Sequence, residues 1–192
     1  YWMEAFRLPA IHSDARLHER LLSGLEGLEH FDASAESGRG TILALPHSGN
    51  WDMAGVFLVG HYGQFTTVAE RLKPAVLFDA FVEYRDTLGF EVLPLTGGDA
   101  SPFKGAALHV VHSWFEGAGW GLSVSPEIEV TDLQETTQRM AECFADNIRR
   151  HPEDWHMLQP QWNVDIERRR QARAAQKAGE PHQAGSSQGE DN

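Results

Sequence analysis

Apolar and polar positions alternate along this chain in two rhythms. Thr41 to Leu45 is a continuous apolar run and reads as a buried strand. Pro46, Gly49 and Asn50 mark a turn, and Trp51 to Val59 has the apolar spacing of a helix. Gln64 to Ala69 is a short β-branched strand, and Glu70-Arg71-Leu72-Lys73-Pro74 punctuates it. A helix over about Ala75 to Leu88 follows, carrying Leu77, Phe78, Phe81, Val82 and Tyr84, until Gly89 stops it before the strand Phe90 to Leu95. The βαβαβ order predicts an α/β fold with a parallel or mixed sheet flanked by helices.

The flanks follow the same rules. Tyr1 to Leu8 is aromatic and apolar and is broken by Pro9; His12 to Leu28 has leucines at helical spacing and predicts one amphipathic helix. Phe31 to Arg39 reads as a Ser/Gly/Asp loop, and Thr96 to Lys104 as a turn-rich connection. Ala106 to Phe115 and Gly121 to Val130 read as adjacent strands, most simply a hairpin. Thr131 to Arg150 predicts a helix opened by a capping box of Asp132 and Glu135, with Pro152 ending it. Trp155 to Trp162 is aromatic and is expected to dock on the core. From Glu167 the chain turns basic and then Gln/Gly/Ser-rich, which predicts an α/β domain over residues 1–166 and a disordered polar tail over 167–192.

Composition narrows the classes. Six Trp and 41% hydrophobic residues fit a folded core, and a formal charge of -12 argues against nucleic acid as a partner. The single cysteine, Cys143, leaves no internal disulfide and fits a reducing compartment. No run of 18 apolar residues is present. The chain begins with Tyr1 in the middle of a helical pattern, so a processed product or a piece of a longer protein is expected.

The candidate chemistry sits in the turn Leu45 to Gly55. His47 falls at the carboxyl end of a strand, where α/β sheets place ligands, and Asp52 in the first turn of the following helix. Folded back on each other, the two make an oriented general base. The plainer alternative is a His and an Asp that satisfy a helix N-terminus. Ser48, Gly49 and Asn50 between them are small enough to let a substrate approach the backbone. Glu70, Arg71, Lys73 and Arg85 form a second charged group near the predicted site edge. His109 and His112 stand three apart on a strand, face opposite sides and cannot chelate one metal together.

His47-Ser48-Gly49-Asn50-Trp51-Asp52 resembles the HxxxxD motif of the lysophospholipid acyltransferase superfamily, in its lipid A acyltransferase-like branch. The flanks, Leu45 to Gly98, Trp114-Phe115-Glu116-Gly117 and Gln159-Pro160-Gln161-Trp162, resemble the phosphatidylinositol mannoside acyltransferases of mycobacteria and related actinobacteria. The resemblance implies transfer of a fatty acyl group from acyl-CoA, as co-substrate, to a mannose hydroxyl of mannosylated phosphatidylinositol, with no metal and no other cofactor. It implies His47 as base, Asp52 fixing its tautomer, and backbone amides near Ser48 to Asn50 steadying the oxyanion. Arg85 is implied to meet the acceptor's phosphate, with Glu70, Arg71 and Tyr84 around it. It also implies a peripheral protein on the cytoplasmic face of the cell membrane. Family members carry a further stretch between the counterparts of Phe103 and Gly105, so one or more strands and a glutamate are expected to be missing. A remnant that binds glycolipid or acyl chain without turnover is the alternative.

Overall fold

The computed structural model describes residues 2–95, 104–117, 119–157 and 162–179. Two compact units divide at His156: Tyr1–His156 and Met157–Asn192. The predicted connection from Thr96 therefore lies, apart from Lys104, outside the described residues, as do Gln159, Pro160 and Gln161.

In the first unit, helices α1 (Trp2–Ile11) and α2 (Ala15–Ser23) precede a two-residue strand β1 (Leu25–Glu26) and helix α3 (Leu28–Glu36). Strand β2 (Thr41–Ala44), helix α4 (Trp51–Tyr62), strand β3 (Phe65–Ala69), helix α5 (Ala75–Asp86) and strand β4 (Phe90–Pro94) supply the predicted βαβαβ order. The hairpin strands β5 (Ala107–Glu116) and β6 (Gly119–Val124) and helix α6 (Leu133–Arg150) complete the unit, with a 3₁₀ turn at Pro152–Asp154.

Strand order is β1-β6-β5-β2 in one sheet and β3-β4 in another. β5 runs parallel to β2, from Thr41 beside Ala107 to Ala44 beside Val110, and antiparallel to β6, from Val111 beside Val124 to Glu116 beside Gly119. It is buried from Ala107 to Trp114, on both faces, with His109, His112 and Ser113 enclosed among five apolar residues. β3 and β4 pair in parallel from Phe65 beside Phe90 to Ala69 beside Pro94. The mixed, helix-flanked sheet is the expected class. Its division in two is not, because β2 and β3 share no ladder among the described residues.

Helix α4 joins the halves. Met53, Ala54, Val56 and Phe57 are buried in a cluster with Leu8 of α1, Leu17 and Leu21 of α2, Leu88, Phe90 and Leu122. Asn50 caps the helix, its side-chain oxygen accepting the Met53 amide at 3.1 Å.

Three local expectations change. The single helix over His12–Leu28 and the loop Phe31–Arg39 become two helices, because Gly27 adopts a left-handed φ of 76° and a Cβ there would lie 2.2 Å from the Val124 carbonyl oxygen. Leucine spacing runs through that break unchanged. Pro9 does not end α1: the Ala5 carbonyl that a non-proline residue at this position would engage accepts the Tyr84 hydroxyl instead, at 2.7 Å. At α6 only half the capping box forms: Asp132 accepts the Glu135 amide at 2.9 Å, while the Glu135 carboxylate accepts the Thr131 hydroxyl at 2.9 Å.

In the second unit, residues 167–179, expected to lack order, are helical as part of α7 (Asn163–Gly179). Its Ala, Arg, Gln and Lys have high helix propensity, and Asp165–Arg168 and Glu167–Arg170 pair one turn apart. The rest of that stretch, 180–192, lies outside the described residues.

Met53 is fully enclosed and Leu133 is 86% exposed. Met53→Ala should therefore lower unfolding free energy by about 2–5 kcal/mol, and Leu133→Ala by less than about 0.5 kcal/mol, in urea titrations followed by circular dichroism.

Candidate active site

The turn after β2 is stitched in place by backbone. The Ser48 amide donates to the Pro46 carbonyl at 2.9 Å, and the Ser113 hydroxyl of β5 donates to the Ser48 carbonyl at 2.8 Å. The Gly49 amide donates to the Asp154 carbonyl at 3.0 Å, and the His156 amide to the His47 carbonyl at 3.1 Å. Asp154 is itself fixed, since its carboxylate accepts the Phe115 amide at 3.1 Å. Gly49 has φ of 59°, and a Cβ would meet the Ser113 carbonyl oxygen at 2.2 Å, so only glycine passes here.

His47 is exposed at the edge of this turn, its ring edge-on to Trp51 with centroids 5.3 Å apart. The Trp51 indole stacks in turn on His156 at 5.1 Å. Asp52 is 2% exposed and accepts the Arg85 guanidinium at 2.9 Å; Arg85, 8% exposed, also lies over the Phe81 ring at 4.3 Å. Helices α4 and α5 are thus tied by a buried ion pair next to the candidate base. The His47 ring hydrogen-bonds no described residue, so Asp52 holds Arg85 rather than the imidazole in this state.

His47, Asp52, Tyr84 and Arg85 share one cavity of about 850 Å³. The remaining lining is almost wholly apolar, with Leu43 of β2, Leu45 just after it, Phe65 of β3, Leu58 of α4 and Phe81 of α5. Such a volume is near the upper end of the roughly 300–1,000 Å³ of small-molecule sites. Burial and the nearby Asp52 carboxylate push the Tyr84 phenol up to about 12, so it is a neutral hydrogen-bond donor. Its proton goes to the Ala5 carbonyl, at the cavity wall.

Several sequence-derived assignments need correction. Ser48 and Asn50 are buried away from the cavity, and the amides of Ser48 and Gly49 already donate to carbonyls, so they are not open oxyanion donors. Arg85, implied by the resemblance to meet the acceptor's phosphate, is buried with Asp52 as its counter-charge and lines the cavity. Arg71 is exposed, 5.8 Å from the Phe78 ring. Glu70 is exposed and does line the cavity.

His109 and His112 do face opposite ways. His109 is within 2.9 Å of the Ser34 hydroxyl and 2.8 Å of the Ser125 carbonyl. His112 packs against Trp114 and His151, and neither of its ring nitrogens meets a described hydrogen-bond partner. Burial, with His151 and Arg150 nearby, pulls its pKa down to about 4. Cys143 is half-buried, and burial pushes its thiol up, away from reactivity. The side chains that the sequence reading missed are Glu4 and Asp154. Asp154 carried no local signal. Glu4 carried one: it is the lone acid in the apolar stretch Trp2 to Phe6.

A family model described as bacterial lipid A biosynthesis acyltransferase matches residues 1–109 and 100–164. A phosphatidylinositol mannoside acyltransferase from Mycolicibacterium smegmatis is 46% identical over 222 positions, which cover 90% of this chain and 72% of the relative. One from Mycobacterium tuberculosis is 43% identical over 221 positions, covering 90% and 70%. An alignment of 222 positions is longer than the 192-residue chain, so the relative has residues with no counterpart here. The chain belongs to the bacterial lipid A biosynthesis acyltransferase family and is by that membership an acyltransferase.

His112 gives a pH test. Its folded pKa lies below the unfolded value of 6.5, so its contribution to stability is complete above pH 6.5 and declines as pH falls toward 4. His112→Phe should flatten the fall in melting temperature between pH 7 and pH 4.5; an unchanged slope excludes His112 as its source.

Proposed function

We propose that this member of the bacterial lipid A biosynthesis acyltransferase family moves a fatty acyl group from acyl-CoA to a mannose hydroxyl of mannosylated phosphatidylinositol. The observation that carries the reading is one apolar cavity with His47 and Asp52 at its polar end. Its apolar walls suit an alkyl chain, and the names of the relatives at 46% and 43% identity point to the acceptor.

In this reading His47 takes the proton of the acceptor hydroxyl as the oxygen attacks the thioester carbonyl. The tetrahedral intermediate collapses, the carbon–sulfur bond breaks, and the CoA thiolate leaves with the proton returned by the imidazolium. The substrate supplies the nucleophile, so no acyl-enzyme forms. One oxygen of Asp52 accepts the Arg85 guanidinium. Asp52 then stabilises the imidazolium when substrate brings the ring inward, since catalytic hydrogen bonds often tighten only in the loaded complex.

Phe6, Leu72 and Leu77 line the cavity and are 77%, 37% and 51% exposed, an apolar rim that suits a lipid surface. No helix among the described residues is long and apolar enough to cross a membrane. We place the protein peripherally, on the cytoplasmic face, where acyl-CoA is found.

Incubation with palmitoyl-CoA and mannosylated phosphatidylinositol should release CoA, and His47→Ala should slow release by about 100- to 10,000-fold. Release that survives His47→Ala would sink the assignment of the base. The extra residues of the relatives favour a second reading, a glycolipid- or acyl-binding remnant, and it predicts palmitate binding by well-folded protein with no CoA release at all.

A further inference from the structure

Glu4 of α1 is distant in sequence from the motif and meets it in space. One carboxylate oxygen, Oε2, accepts the Asn50 side-chain amide at 3.1 Å and the Trp120 indole N–H at 2.7 Å. Asn50 is fully enclosed, and its other amide atom is committed to the α4 N-terminus through the Met53 amide. Its orientation is therefore fixed at both ends, by α4 on one side and by Glu4 on the other. Asn50 lies between His47 and Asp52 in the chain, so whatever fixes Asn50 fixes the turn that carries the base. The next two residues of α1, Ala5 and Phe6, form part of the cavity wall, and the Tyr84 hydroxyl holds the Ala5 carbonyl.

We propose that Glu4 is a positioning residue of the acyltransfer site. Through Asn50 it sets the His47 turn, and through its place on α1 it seats the helix that walls the cavity. The inference rests on the reading of His47 as the base. Removing the carboxylate leaves an enclosed amide donor without its acceptor, which the turn relieves by moving. A displacement of about 1 Å at a reacting group costs on the order of 100-fold in rate.

The pairing is testable by exchanging donor and acceptor. Asn50→Asp keeps the oxygen that caps α4 and sets a carboxylate against Glu4. Adding Glu4→Gln restores a donor facing the new acceptor; because one Glu4 oxygen receives both Asn50 and Trp120, the amide nitrogen that takes its place donates to the new carboxylate and gives up the Trp120 bond. Two readouts apply to the folded protein. The first is the imidazole resonances of His47, assigned by their loss in His47→Ala, which do not depend on turnover. The second is CoA release from palmitoyl-CoA with mannosylated phosphatidylinositol. Asn50→Asp should shift or broaden the His47 resonances and lower kcat by about 10- to 100-fold with the KM for palmitoyl-CoA within about two-fold. The double variant should recover the wild-type resonances and most of kcat. Glu4→Ala should reproduce the Asn50→Asp spectrum. A double variant no better than Asn50→Asp, or a Glu4→Ala spectrum that superimposes on wild type, overturns the proposal. Absence of CoA release from wild type would instead remove the acyltransfer reading, and the His47 resonances would still decide the positioning role.

Discussion

The buried pair Asp52–Arg85 is the constraint on which the arrangement of this protein turns. It joins the first turn of α4 to the last turn of α5, the two crossover helices of the βαβαβ unit, at 2.9 Å and almost out of solvent. Two ions are buried at a high desolvation cost, and removing one partner of such a pair typically costs about 3–5 kcal/mol because the other is left uncompensated. The two sheets share no strand ladder among the described residues, so helix packing and this pair do the joining that hydrogen bonds between β2 and β3 do not. Leu43 of β2 and Phe65 and Thr67 of β3 all line the cavity, as do residues of both helices that the pair ties together.

Around the pair, the rest of the site is held from a distance. The turn with His47 is anchored by Ser113 from β5, by Asp154 and His156 from the segment after α6, and by Glu4 from α1 through Asn50. These anchors act on backbone and on buried amides, leaving the imidazole exposed at the cavity edge. The turn is held rigidly while its imidazole, edge-on to Trp51, lines the cavity.

Apolar strand runs, the periodicity of α5 and α6, and the hairpin of β5 and β6 were legible because each is a local pattern whose buried face is read directly. The break between α2 and α3 was not, because the leucine spacing continues across it and the deciding contact is Gly27 against a carbonyl of β6. Pro9 misled for a similar reason: the carbonyl it leaves open is satisfied by Tyr84, 79 residues away. In α7 a basic and then Gln/Gly/Ser-rich composition suggested disorder, whereas backbone propensity favoured a helix.

At the site, the sequence by itself determined the family, the βαβαβ order, and His47 and Asp52 flanking one helix start, because motif and spacing are properties of neighbouring residues. Tertiary structure alone decided where the charges go. It gave Asp52 to Arg85, turned the amides of Ser48 and Gly49 away from the role of oxyanion donors, and brought Glu4 and Asp154 to the turn. The reason is burial: which polar groups lose water, and which partners must then satisfy them, depends on contacts between residues far apart in the chain.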